Sequence, residues 1–342
     1  MSNASMPRKG GPEDCLSISV VVTTKDRGDM ACRTVRSILQ NRYPRFDVLL
    51  VDQSAGDEVA FGADEFQDDP RFRYVRTATA GISAARNVGA GLAQGEIVAN
   101  TDDDCEVPLD WLERIAATFA AWPDAAVVFG EVDAAPHPDE GFIPAYRVRR
   151  SIRVRGAWRK HQIEGIGACF AYRRELWHAV GGFDERLGVG GEFRSAEEVD
   201  FTIRALALGR VAGETTSFGV VHFGFRRWDQ AEDLLEAHLH GLGAMSAKHL
   251  KRRPLQYGFV LANLGARWFW GRPVVDFGHR PRRRTRLRAF LQGFHSGWRL
   301  PVDMNDAFYS SGEKTGAAAA VISRAERPLK SKAAAAGGSQ RN

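Results

Sequence analysis

The chain is poor in cysteine: its four thiols, Cys15, Cys32, Cys105 and Cys169, are scattered over 342 residues and form no CxxC pair. That excludes a zinc framework and a disulfide-stapled fold, and it fits a reducing compartment. An apolar run long enough to cross a bilayer is also missing. The most apolar late segment, Tyr257–Trp270, contains Arg267 and is followed by Arg272. The opening residues Met1–Gly11 are polar, with no secretory apolar stretch, so the expected location is the cytoplasm. No internal repeat is visible. The net charge of +5 is modest but uneven, because Arg280, Arg282, Arg283, Arg284, Arg286 and Arg288 crowd one short segment. Such a patch suits an anionic partner, or is a solvated face.

The strongest positive signal is the acidic triplet Asp102-Asp103-Asp104 directly after the apolar run Ile97-Val98-Ala99. Carboxylates this close repel one another unless a cation sits among them. Hard oxygen ligands suit Mg²⁺ or Mn²⁺, which proteins hold with one or two carboxylates plus substrate phosphates. A solvated acidic turn that caps the next helix is the competing reading.

Around the triplet, β-type and helical patterns alternate. Leu16–Thr23, Val48–Val51, Phe72–Val75, Ile97–Asn100 and Ala125–Val132 read as strands. Asp29–Leu39, Ile82–Ala93 and Leu109–Ala121 read as helices. This alternation predicts an α/β fold with a mostly parallel sheet, helices on both faces, and a ligand site beyond the carboxyl ends of the strands. Thr24, Asp52 and the triplet all stand at such ends. Further on, Pro136–Lys160 reads as an Arg-rich loop, Gly167–Tyr172 as a strand and Arg174–Val180 as a helix. A glycine-rich loop, Gly188–Gly191, precedes the helix Ala196–Leu208, and Phe218–Phe223 reads as the last strand.

Four ordered motifs carry a resemblance. They are Val20-Val21-Val22-Thr23-Thr24-Lys25-Asp26-Arg27, then Val48-Leu49-Leu50-Val51-Asp52-Gln53-Ser54, then Gly81 to Gly89 running on through Gly95-Glu96 into the triplet, and last Gly181-Gly182-Phe183-Asp184-Glu185 with Glu197-Glu198-Val199-Asp200. Over Leu16–Phe223 the chain resembles the family 2 glycosyltransferases, inverting enzymes of GT-A fold with a Rossmann-like mixed sheet flanked by helices. The resemblance implies hexosyl transfer from a nucleotide-diphosphate sugar to an acceptor hydroxyl, with Mg²⁺ or Mn²⁺ on the diphosphate. By the family's DxD motif, Asp104 would be the direct metal ligand, and Asp102 or Asp103 would contact the ribose or the metal shell. His222 would be a further metal or diphosphate contact, or a structural histidine. Asp52 would bind the nucleobase, which favours a UDP- or dTDP-sugar. Thr24 and Arg27 would hold base and ribose. Arg86 would neutralise phosphate or brace the base, or form a surface ion pair. The family's acidic pair corresponds to Glu197-Glu198, with Glu198 as the base. Ser195-Ala196-Glu197-Glu198 also has capping-box form, in which Glu198 would serve the helix end and Glu197 would be the base. Asp200 and Arg204, spaced i,i+4, would pair on the helix surface.

The expected organisation is a catalytic domain over 16–229, a helical basic region over 230–309, and disordered tails at 1–15 and 310–342. The region 230–309 combines amphipathic helices, Trp268, Phe269, Trp270 and the arginines. It would contact a membrane peripherally, pack on the catalytic domain, or form a subunit interface. The first would suit a lipid-linked rather than a free saccharide acceptor, at the inner face of the cytoplasmic membrane. Nucleic acid is excluded as a partner because no recognition motif accompanies the basic cluster. A sugar-nucleotide pyrophosphorylase would want a glycine-rich phosphate loop where Thr24-Lys25-Asp26-Arg27 stands. A catalytically silent nucleotide-sugar or carbohydrate-binding scaffold is the remaining alternative.

Overall fold

The computed structural model describes residues 15–270, 283–304 and 308–309. All of the expected tails at 1–15 and 310–342 except Cys15, together with Arg280 and Arg282, lie outside the described residues, as do the side chains of Trp268, Phe269 and Trp270.

The first half alternates as the sequence predicts. Strand β1 (Ile18–Thr24) leads to α1 (Gly28–Leu39), β2 (Phe46–Asp52), α2 (Glu58–Ala63), β3 (Phe72–Arg76), α3 (Ile82–Leu92) and β4 (Ile97–Asp102). The short β5 (Cys105–Glu106), α4 (Trp111–Ala121) and β6 (Ala125–Ala134) follow. Apolar residues recur at helical spacing on α1 (Ala31, Val35, Ile38) and α4 (Leu112, Ile115, Phe119), and those faces are buried. The second half comprises β7 (Gly141–Phe142), β8 (Ile152–Arg155), β9 (Cys169–Arg173), α5 (Arg174–Val180), α6 (Glu197–Ala207), β10 (Val211–His222) and β11 (Arg226–Arg227). Three helices close the described chain: α7 (Ala231–Arg252), α8 (Pro254–Trp270) and α9 (Arg283–Arg299).

The main sheet has the order β3-β2-β1-β4-β9-β6-β10-β5, with β8 on β10. It is mixed. The β3-β2-β1-β4 half is parallel, but β9 runs antiparallel between β4 and β6. The expectation of a mostly parallel sheet holds for the first half only, because periodicity within a strand carries no direction. Within Pro136–Lys160, β7 pairs with β11 and β8 with β10, so that stretch is not simply a loop. In β8 only Val154 is buried and the neighbouring arginines face out, which hides a period-two pattern behind charge. The last strand of the sheet, β10, begins seven residues before the expected Phe218 and bulges between Glu214 and Gly219.

Alternation along β1 divides the core. Ile18, Val20 and Val22 pack towards α1 and α4, and Val21 packs towards α3, α5 and α6. A third cluster joins Leu187, Phe193, Ala196 and Ile203 to Leu242, Met245, Tyr257 and Tyr309. The region after residue 230 therefore shares a core with α6 and its preceding loop. Beneath that core Asp200 accepts from Lys248 Nζ (2.6 Å), His249 Nε2 (2.8 Å) and Arg204 Nε (2.8 Å). Lys248 also reaches Asp184 at 2.6 Å. Asp200 and Arg204 do pair at i,i+4 as expected, but they are fully buried, not on the helix surface. Burial works against the Asp200 charge, yet Lys248 and Arg204 override it and hold the carboxyl well below its ordinary value.

Helix α3 lies close on β1 because Gly89 has no side chain: a Cβ there would fall 2.4 Å from Val21 Cγ1 and 3.3 Å from its Cβ. Val21 is branched and buried and cannot give way. Gly89→Ala should therefore destabilise the fold by about 1–3 kcal/mol in urea unfolding, although alanine is the better helix former.

Candidate active site

The parallel register of β1 with β4 sets Thr23 beside Asp102, so Thr24 and the rest of the triplet emerge together at the sheet edge. Thr24 Oγ1 donates to Asp103 Oδ2 at 2.7 Å. Arg27 Nη1 donates to Asp103 Oδ1 at 3.1 Å and to Asp104 Oδ2 at 3.2 Å. Asp103 is thus largely committed to the protein. Burial, opposed by the Thr24 hydrogen bond, pushes its carboxyl up to about 6. Asp102 is the most open of the three, with a side chain 30% exposed.

Asp104 is buried, and its Oδ1 lies 3.1 Å from His222 Nε2, off the line of a good hydrogen bond and with no other hydrogen-bond partner. His222 Nδ1 sits 2.8 Å from the Pro144 carbonyl. Nδ1 therefore carries a proton, and the other ring nitrogen turns to Asp104. A second ring N–H anchored on a carbonyl is the usual setting of a metal-ligating histidine. Burial raises the carboxyl of Asp104 and lowers the imidazole of His222, but their mutual attraction wins, leaving Asp104 low and His222 high. The space beside them is kept open by Gly224, where a Cβ would stand 2.5 Å from His222 Nε2 and 2.6 Å from Asp104 Oδ2. Ligand atoms of Asp104, Cys105 and His222 lie within 4.8 Å of one another. The Cys105 thiol is raised well above its ordinary range by burial, which makes it a poor partner for a hard cation. An orphaned carboxylate oxygen, an oriented imidazole and open room fit a hard divalent ion held by Asp104, with Asp102 and His222 beside it.

Arg86 is 2% exposed and forms neither a surface pair nor an open phosphate contact. Its Nη1 donates to Glu197 Oε1 at 2.7 Å, and its Nη2 to Asp102 Oδ1 at 3.3 Å and the Gly167 carbonyl at 3.1 Å. It ties the end of β4 to the first residue of α6. Glu197 is spent on it. Glu198, next along, lines the cavity and is pushed up to about 8 by burial and by the Glu197 charge. The capping box does not form. Ala196 occupies the N-cap at φ 76° and no side chain caps the helix, while Ser195 Oγ pairs with His238 Nδ1 at 2.9 Å.

These groups line one cavity of about 510 Å³, which gathers Thr24, Arg27, Asp102, Asp103, Asp104, Glu198 and His222. Asp52 is not among them. It is fully buried, accepting from Ser54 N–H (2.8 Å) and Tyr74 O–H (2.6 Å), and has no surface open for the expected base contact. Its neighbour Gln53 lines the cavity instead, with Nε2 held by the carbonyls of Thr79 and Gly81. Arg226, Leu234 and His238 complete the wall and had no signal in the sequence beyond their lying after the last strand. Trp158 stands outside the wall, stacked by Arg159. A larger groove of about 890 Å³ opens by Glu96, before β4 at the other end of the sheet. Its arginines Arg155, Arg173 and Arg174 are engaged by the carbonyls of Gly209, Ala125 and Gly95.

A mixed sheet with its acidic triplet at the edge of β4 defines the GT-A fold. Solved structures agree at the level of fold. TarS residues 1–349 of S. aureus in complex with UDP-GlcNAc has a TM-score of 0.51 at 17% identity, over 75% of this chain and 74% of that one. The mannosyltransferase PcManGT of Pyrobaculum calidifontis in complex with GDP-Man and Mn²⁺ has a TM-score of 0.52 at 17% identity, over 84% and 88%. The glycosyl transferase family 2 model matches residues 19–181, a little under half of this chain. Among curated relatives, the glucosyl-dolichyl phosphate glucuronosyltransferase of Haloferax volcanii is 30% identical over 185 residues. That match takes in 52% of this chain and 59% of that protein, so less than two thirds of the relative's length is spanned.

Arg86→Met should cost about 3–5 kcal/mol, because it leaves two carboxylates short of their buried cation. Arg86→Lys should recover part of that loss but not the fork between Glu197 and Asp102. Denaturant unfolding of the three proteins measures both effects.

Proposed function

We propose that the protein is an inverting glycosyltransferase. It moves a sugar from a nucleotide-diphosphate donor, UDP- or dTDP-sugar in preference, to a hydroxyl of a saccharide or lipid-linked acceptor in polysaccharide or glycolipid assembly. The observation that carries this reading is a buried carboxyl of raised pKa, Glu198, in the same cavity as the aspartate triplet. The glucuronosyltransferase relative, whose name includes a dolichyl phosphate, supports the lipid-linked acceptor.

In this reading the acceptor oxygen attacks C1 of the sugar from the face opposite the diphosphate. The C1–O bond breaks, and its electron pair leaves with the diphosphate. Glu198 takes the acceptor proton, a task suited to a base with pKa near the working pH. Asp104, Asp102 and His222 would hold Mg²⁺ or Mn²⁺, which would supply Lewis-acid stabilisation of the leaving diphosphate. Arg27, half exposed at the mouth, and Arg226 add positive charge to the same wall. Thr24 and Arg27 keep Asp103 in place. Gln53, with Nε2 occupied, has Oε1 to accept from N3–H of uracil or thymine, taking the place first expected of Asp52.

Calorimetric titration with UDP, dTDP, GDP and CDP, each with Mn²⁺ and then with EDTA, tests the donor site. Binding of UDP or dTDP that needs the metal and weakens at least tenfold in Asp104→Ala is expected. Folded protein that binds none of the four would return the scaffold reading. Glu198→Gln should keep nucleotide binding and lose about 10²–10⁴-fold in transfer; near-full turnover would pass the role to Glu197. Because the base must be deprotonated, transfer should rise about tenfold per pH unit below pH 8 and level off above it. A flat profile between pH 6 and 9 would remove Glu198 from the chemistry.

A further inference from the structure

We infer that the outward face of α9 is a docking surface for an anionic phospholipid bilayer. The inward face of α9 is fixed by close backbone contact with α7. A Cβ on Gly293 would fall 1.9 Å from the His240 carbonyl oxygen, and one on Gly297 would fall 2.8 Å from Ala244 Cα. Ala289, Gly293 and Gly297 are the buried positions of the helix. At 3.6 residues per turn, the opposite face carries Leu287, Leu291 and Trp298 on one stripe and Arg284, Arg288 and Arg299 on the next. The apolar stripe is open to solvent: Leu287 is 45% exposed, Leu291 52% and Trp298 46%. The helix holds no aspartate or glutamate against its five arginines.

An apolar ridge with an interfacial tryptophan, beside a row of arginines, matches the boundary between acyl chains and anionic headgroups. A polynucleotide would take the arginines and leave the ridge in water. No described helix is long and apolar enough to cross a membrane, so the contact is peripheral. The pairing of Gly293 with His240 and Gly297 with Ala244 keeps the same spacing on both helices, so α9 and α7 run parallel and in step. Leu287 and Leu291 then stand level along the helix axes with Leu234 and His238, which line the cavity from the opposite side of α7. Arg284 and Arg288 share a groove with Glu236 on the intervening turn. The surface itself does not depend on the proposed activity.

Vesicle flotation of the full chain tests the inference, using phosphatidylcholine with and without phosphatidylglycerol, at low and high salt. The protein should float only with the anionic vesicles and should be released by salt. Arg284→Gln, Arg288→Gln and Arg299→Gln together should lower partitioning about a hundredfold, at about fivefold per arginine. Leu287→Glu with Leu291→Glu should abolish it. Both variants change exposed positions and should bind UDP with Mn²⁺ as the parent does, so failure here is distinct from failure of the donor site. Flotation unchanged in the variants, no flotation with anionic vesicles, or tighter binding to an RNA homopolymer than to those vesicles would each overturn the proposal.

Discussion

The arrangement of the site depends on one buried cation. Arg86 sits inside the protein with almost no water, and a charge so placed persists only with full compensation. Burial works against its charge, and Glu197 and Asp102 outweigh burial. Those two partners come from different halves of the sheet. Asp102 ends β4, on the parallel side where β1 and β2 deliver Thr24 and Gln53. Glu197 begins α6, on the side where β9 has reversed direction. One guanidinium thus sets the separation between the aspartate triplet and the candidate base. It also accounts for the chemistry of Glu198. Because Arg86 is spent on Glu197 and Asp102, Glu198 has burial and a neighbouring negative charge to contend with, and it stays raised.

The start of α6 is held from outside as well. Arg194 and Ala196 both lie in the left-handed region, at φ 58° and 76°, a conformation that costs a non-glycine residue about 1–2 kcal/mol. The surrounding structure offsets this. Gly188 N–H donates to the Ser195 carbonyl, Phe193 N–H to Arg186, and Ile82 N–H to Val189, so the glycine-rich loop is docked on the start of α3. Glycine at 81 and 190 permits the approach, since a Cβ on Gly190 would fall 2.9 Å from Gly81 Cα. One turn into α6, Asp200 is locked to Lys248 and His249 of α7. Two of the three described non-glycine residues at positive φ thus precede Glu198, the third being Asp26 beside Arg27, and stored strain is commonly found at functional sites.

The sequence reading succeeded where local pattern and covalent order decide the outcome. The strand ends at Thr24 and Asp102 follow from β-branched runs and register, and α1, α3, α4 and α6 follow from helical spacing. It went astray where partners distant in sequence decide. Direction is invisible in the run Cys169–Arg173, so the antiparallel β9 was unreadable. A carboxylate at the end of β2 looked available to a base, but Tyr74, twenty-two residues on, closes over it. The i,i+4 pair Asp200–Arg204 has the form of a surface pair, and only Lys248, from a helix with no motif, makes it a buried one. Ser195 has the form of a helix cap, but the backbone turn at Ala196 points it to His238 instead.

These same distant partners argue against a boundary near residue 230. A separable domain has its own core, yet Leu242, Met245 and Tyr257 complete the cluster around Phe193 and Ile203. A buried cluster of two carboxylates and two basic side chains, Asp184, Asp200, Lys248 and Arg204, straddles the junction. Removing α7 would expose that apolar surface, strand Asp184 and Asp200 without Lys248, and open the wall of the cavity at Leu234 and His238. Helix α7 is accordingly part of the unit that builds the site: it closes one wall and steadies α6, and α9 packs through its glycines along the side of α7 that faces away from the cavity.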